Sequence, residues 1–334
     1  MEKKMTIVYH TVNSIGAGIR IFPGANTTHF IGRDAIIGST DSRAISTDLG
    51  QGNGYVGLII EGVVSGDQEG IYLSNSEGTL DADIVIDDEG AVYSAQNMAI
   101  RVDSLEFVSG GDLTVTNEGS IRGREGGIYV TRMDDAVITN SGEISVFGTS
   151  ASTYAILTAA ITSSIANTGI ISATGAAAAI AQTVYNVAYI GGVGEIFNSG
   201  TIIGGELGSI VSVFKTDVIT NEGIIEGDLF LSFGEGEGGE EPISDVVTNS
   251  GSIFGDLYFG DGDDQFIGET GEFLGTIYGL AGDDLIKSGS ADDMINGGEG
   301  ADEMWGGGGS DTASYEDSLE GVRVSLNAGA GWFG

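Results

Sequence analysis

The chain has 334 residues, of which 58 are glycine, two are proline (Pro23 and Pro242) and none is cysteine. Forty-nine acids against twelve bases give a formal net charge of −37, which argues against nucleic acid and anionic membranes as direct partners and in favour of cations. With 41% apolar residues the chain can bury a sizeable core; the lack of cysteine removes disulfides and thiolate metal sites, and glycine without proline disfavours collagen-like and proline-rich disordered chains.

Residues 1–29 read as an N-terminal cap or leader. They carry two lysines but lack the apolar run of a cleaved secretory signal, and no span of eighteen apolar residues occurs elsewhere, so membrane insertion is not expected. From residue 30 to residue 257 a long repeat dominates, seen in TNEGSI, TNSGEI, ANTGII, FNSGTI, TNEGII and TNSGSI. Its asparagines are Asn117, Asn140, Asn167, Asn198, Asn221 and Asn249, and an isoleucine follows each glycine by two places: Ile121, Ile144, Ile171, Ile202, Ile225 and Ile253. The glycine markers Gly62, Gly90, Gly119, Gly142, Gly169, Gly200, Gly223 and Gly251 stand 28, 29, 23, 27, 31, 23 and 28 residues apart. A fixed turn with a variable period predicts a solenoid with loops, and a coil of 23 residues holds three short strands.

Amides recurring at one turn of successive coils predict a hydrogen-bonded ladder rather than a reactive site. The N-x-G-x-I pattern resembles the right-handed parallel β-helix of autotransporter passengers and related bacterial surface proteins. Residues 151–181, rich in Ala, Ser and Thr, read as tight coils rather than a helix, and Gly234 to Pro242 (GEGEGGEEP) as an exposed loop.

Residues 258–334 form a second region. GLAGDDLIK, SGSADDMIN, GGEGADEMW and GGGGSDTAS are four consecutive nine-residue units with aspartates at Asp284, Asp293, Asp302 and Asp311. Each is a glycine-rich turn followed by a short strand, so stacked turns place carboxylates and carbonyls in rows, a hard-oxygen environment suited to calcium. Upstream, Gly260 to Phe266 looks like a further unit, but Asp264 lies twenty residues before Asp284, which makes it either a bulged first coil or a lead-in turn.

GGEGADEMW and GGGGSDTAS match the G-G-x-G-x-D-x-U-x pattern, and the region resembles the RTX (hemolysin-type) calcium-binding repeats. The resemblance implies an all-β fold in which the β-helix runs into a parallel β-roll, with Ca2+ between one turn and the turn two units on. Carried onto this chain, Leu280, Gly282 and Asp284 would face Gly297, Glu299 and Asp302; Gly289, Ala291 and Asp293 would face Gly306, Gly308 and Asp311. A third seat would start from Gly298, Gly300 and Asp302, although the turn after Ser314 departs from the pattern. Leu280 and Ala291 stand where glycine is usual, and an alanine forced to positive φ costs about 1 kcal/mol, so looser turns are expected there. Tyr315 to Ser318 and Gly321 to Leu326 look like the strand segment that often follows such units. The resemblance also implies export through a type I channel of a Gram-negative bacterium, and a chain that continues beyond Gly334.

Enzyme chemistry finds few residues. His10 and His29 are the only histidines, and neither an H-E-x-x-H helix nor a G-x-S-x-G elbow occurs. Arg122, Arg124 and Arg132 beside Asp134 and Asp135 form the only basic cluster, the one place where a polysaccharide lyase or epimerase would bind an acidic sugar. The reading favoured by the sequence is a calcium-binding structural or adhesive rod outside the cell, with polysaccharide or a cell-surface ligand as its contact.

Overall fold

The computed structural model describes residues 5–333 apart from 51, 105–110, 151–152, 174, 176–177, 184–191, 214, 232–241 and 319–331. The loop expected at 234–242 falls almost wholly outside the described residues, and so does Gly321 to Leu326. The described chain is all-β, in three stacked sheets of 14, 11 and 12 strands. Every strand pairing is parallel except the last, where Trp332–Phe333 runs antiparallel to Glu303–Trp305.

Each coil visits the sheets in turn. Asp135–Asn140 lies in the first, Glu143–Val146 in the second and Tyr154–Ala159 in the third, and Thr162–Asn167 then pairs beside Asp135–Asn140 to begin the next coil. The described residues of 151–181 therefore contribute strands, not a helix, including Ile170–Ala173 and Ala178–Thr183. Thr6–His10 already pairs with Thr27–Ile31, so the ladder runs across the expected boundary at residue 29, and Leu257–Asp261 spans the one at 257.

Alternation along the strands sets what lies inside. Ile121, Ile144, Ile171, Ile202, Ile225 and Ile253 are strand partners in one continuous row, each fully buried. At about 2–3 kcal/mol per buried isoleucine, this row is a main source of stability. The asparagines form the ladder beside it. Nδ2 of Asn117, Asn140, Asn167, Asn198 and Asn221 each donates to Oδ1 of the next asparagine at 2.7–2.8 Å, across steps of 23, 27, 31, 23 and 28 residues. The same amides also donate to backbone carbonyls, as Asn140 does to Ile170 at 3.2 Å. The turn glycine is required sterically, since a Cβ on Gly142 would overlap the Gly119 carbonyl oxygen.

The coil changes shape near residue 284. Asp264 to Asp284 still includes three strands, Gln265–Ile267, Glu272–Leu274 and Thr276–Ala281. Glu272–Leu274 is the last strand of the second sheet. The next coils keep two strands, Leu285–Lys287 with Met294–Glu299, then Glu303–Trp305 with Thr312–Ser314. The twenty-residue step is thus the last three-strand coil, not a bulge within a two-strand one.

Candidate metal centre

The turns of the two-strand coils bring most of the expected residues together. Leu280 pairs with Gly298 and Ala281 with Glu299, and the Gly282 N–H donates to the Glu299 carbonyl at 2.9 Å. A Cβ on Gly298 would overlap the Leu280 oxygen, and one on Gly300 the Gly282 oxygen, so both carbonyls point toward the following coil. The Gly297 oxygen points back: a Cβ on Gly279 would strike both it and Asp284 Oδ2. Leu280, Gly282 and Asp284 therefore lie against Gly297, Glu299 and Asp302 of the following turn, with one of the four expected carbonyls, that of Glu299, already accepting from Gly282 N–H.

Electrostatics in that gap are unfavourable without a cation. Asp284 is 2% exposed, and its Oδ2 has no hydrogen-bond partner. Burial pushes its pKa up to about 7, against the Asp264 N–H and with the help of the nearby charges of Asp302, Asp263 and Asp283. Asp302 is raised by burial, opposed by the Asp284 N–H that donates to it at 3.2 Å. Among the described residues no lysine or arginine forms an ion pair with Asp284, Asp293 or Asp302. Nor do three acidic, imidazole or thiol side chains gather closely enough to hold an ion alone, so backbone carbonyls would supply the other ligands. A buried carboxylate with one oxygen unpartnered among hard oxygens, and no imidazole or thiolate beside it, fits calcium.

The second turn pair is arranged differently. Asp293 N–H donates to Asp311 Oδ1 at 3.2 Å, but the Gly289 oxygen already accepts from Gly308 N–H at 3.0 Å. The Gly306 oxygen accepts from the Ser288 hydroxyl at 3.0 Å. Gly307 and Gly309 take φ of 83° and 113°, whereas Gly289 and Ala291 are not in the left-handed region. Leu280, by contrast, takes φ of 78°. Both oxygens of Asp293 are buried without a well-formed hydrogen bond, and burial raises its pKa, partly offset by the Ser288 hydroxyl. Two of the four expected carbonyls would have to be released before an ion entered.

At the third seat, Gly298, Gly300 and Asp302 meet a turn of another kind: Asp317 Oδ2 accepts from Asn296 Nδ2 at 2.7 Å. Asp264 joins from the other side, its N–H donating to Asp284 Oδ1 at 2.9 Å while Gly262 N–H donates to the Ala281 oxygen at 2.7 Å. An outer row of exposed acids runs alongside, with Asp283 N–H bonded to Asp263 and Ala301 N–H to Asp283.

The inner row of aspartates does not stop at Asp264. Asp245 N–H donates to Asp264 Oδ1 at 2.6 Å, and Asp217 N–H to Asp245 Oδ1 at 2.7 Å. Sequence spacing missed both because neither sits in a glycine-rich turn. The available signal was an aspartate four places before the ladder asparagine, in Asp217-Val218-Ile219-Thr220-Asn221 and Asp245-Val246-Val247-Thr248-Asn249.

The basic cluster is divided among separate partners. Arg122 lies 5.2 Å from the Phe147 ring centroid, Arg124 is 4.0 Å from Glu125, and Arg132 is 3.3 Å from Asp103. Asp135 begins a strand of the first sheet and Asp134 immediately precedes it.

Residues 276–313 match the family described as the RTX calcium-binding nonapeptide repeat, in four copies. No curated protein and no solved structure matches the chain. The region that holds the oxygen-lined turns is therefore a set of RTX repeats, and calcium is the ion such repeats bind.

Proposed function

We propose that the chain is a secreted calcium-dependent β-solenoid with a structural, adhesive role at or outside the cell surface. The observation that carries it is the turn pair at 280–284 and 297–302, where a buried carboxylate oxygen without a partner, Oδ2 of Asp284, lies among carbonyls of two coils. In this reading Leu280, Gly282, Asp284, Gly297, Glu299 and Asp302 hold one ion, and Gly289, Ala291, Asp293, Gly306, Gly308 and Asp311 a second. Gly298, Gly300 and Asp264 extend the row at either side. Bound calcium would neutralise the facing carboxylates and tie consecutive coils together, so these coils stiffen where calcium is abundant.

In the rod upstream, Arg122, Arg124 and Arg132 are taken up by separate partners, which supports a structural role. Polysaccharide or another surface ligand is the contact proposed for the rod, and type I export from a Gram-negative cell is the route. A calcium titration followed by circular dichroism and thermal melting tests the core of this reading, with Asp284→Asn/Asp302→Asn as the control. Calcium is expected to raise the melting temperature of the unaltered chain and to do so weakly in the variant. An equal response in both would remove the proposed turn pair from the reading. Fractionation of producing cells tests export, and retention in the cytoplasm would overturn it.

A further inference from the structure

Five carboxylates, Asp217, Asp245, Asp264, Asp284 and Asp302, form one file, in which each of the four after Asp217 accepts a backbone N–H from the aspartate of the coil before. Upstream of Asp217 the same register position is held by Gly194, Ser163, Ala136, Leu113 and Ala82. The file therefore begins at Asp217, inside the three-strand region.

Lys215 stands two residues earlier on the same strand and the same inward face, with 0% exposure. It is the one lysine or arginine that is buried among the described residues. Its Nζ donates to Ser163 Oγ at 2.9 Å, and Ser163 in turn donates to Gln182 Oε1 at 2.9 Å. A Cβ on Gly194 would meet both Gln182 Oε1 and Asp217 Oδ1, so the two oxygens converge on the space this glycine leaves open. Burial opposes the charge on Lys215, and Asp217 is the charge that favours it.

We propose that the Lys215 ammonium is a built-in cation closing the upstream end of the file, taking beside Asp217 the part that calcium takes between Asp284 and Asp302. The coils before Asp245 then need no metal. The downstream half of this statement rests on the calcium reading above; the upstream half does not.

The test is a double-mutant cycle on the whole chain, melted in excess chelator: unaltered, Lys215→Met, Asp217→Asn and both together. Each single change removes one of two opposite buried charges and is expected to lower the melting temperature by about 5–10 °C. The double variant is expected to lose far less than the sum. Additive losses, or a double variant that no longer folds, would overturn the proposal, since the side chains would then matter by volume. If Lys215→Met alone does not fold, Asp217→Asn is compared with the double variant, and the proposal requires the double variant to be the more stable. A chain that never responds to calcium would end the calcium reading yet leave this cycle readable, because all four melts are made without metal.

Discussion

The three-strand coils and the two-strand coils put opposite chemistry at the same kind of repeated corner. Upstream, a row of neutral amides satisfies itself: each asparagine in the interior of the ladder both donates to and accepts from a neighbour. Downstream, carboxylates are stacked that accept but cannot donate when ionised, and Oδ2 of Asp284 has no donor to accept from. A neutral ladder is complete in itself. A carboxylate ladder is complete only with a cation, so one half of the rod is expected to be insensitive to calcium and the other to depend on it.

The largest effect that would break this contrast is metal removal. In chelator at neutral pH, backbone amides within 276–313 are expected to exchange freely, while those of the strands from residue 54 to residue 254 stay protected; uniform exchange by mass spectrometry would show that the two halves do not differ. Asn167→Leu should come next, leaving the Asn140 and Asn198 amides without their partner. A loss of about 2–4 kcal/mol in urea unfolding is expected, equal with and without calcium.

Asp284→Asn should change sign with the metal. In chelator it relieves a buried charge and stabilises, whereas in calcium it removes a ligand and weakens binding about tenfold or more, read by titration calorimetry. The pH response sharpens the same point. Asp284 has a folded pKa of about 7, above its unfolded value, so the native chain holds the extra proton between the two. Without metal, stability is therefore expected to fall as pH rises from about 4 to about 7 and, conversely, to rise on acidification. With calcium the trend reverses, since the ion requires the carboxylate ionised. The smallest effect is Leu280→Gly: a leucine at φ 78° is strained, and replacing it should stabilise by about 0.5–1 kcal/mol in calorimetric melts.

Much of this was legible in the residues. The nonapeptides announced themselves because turn glycines and ligand aspartates are local and fall at one spacing. The asparagine ladder was legible for a similar reason, as its turn keeps N-x-G-x-I while the intervening loops vary. The twenty-residue step at Asp264 read ambiguously because spacing alone does not say whether a coil has two strands or three; Glu272–Leu274 supplies the third. Asp217 and Asp245 were hidden because they join the file through register across coils of 28 and 19 residues and sit in no glycine-rich turn, their one local mark being the ladder asparagine four places on. Lys215 was hidden more deeply. A lysine in a strand is ordinarily solvated, and only its standing six places before the ladder Asn221, on the same face of the strand, marks Lys215 as inward. The second turn pair shows a further limit: its residues fit the pattern, yet Ser288 and Gly308 spend two of its carbonyls on hydrogen bonds.

Neighbouring strands lie about 4.8 Å apart, so the inner file places one carboxylate per coil at that pitch, with the outer row of Asp263 and Asp283 beside it. Phosphates along one strand of DNA are spaced at about 3.4 Å, close enough to gather a condensed atmosphere of counter-ions. The acidic edge of this rod is a polyelectrolyte of comparable kind. Calcium arriving there displaces monovalent ions already held near the line, and its apparent affinity should fall along a straight line in the logarithm of salt concentration. Each additional coil bearing an exposed acid would steepen that line, so the length of the outer row would set the salinity at which the proposed calcium seats fill.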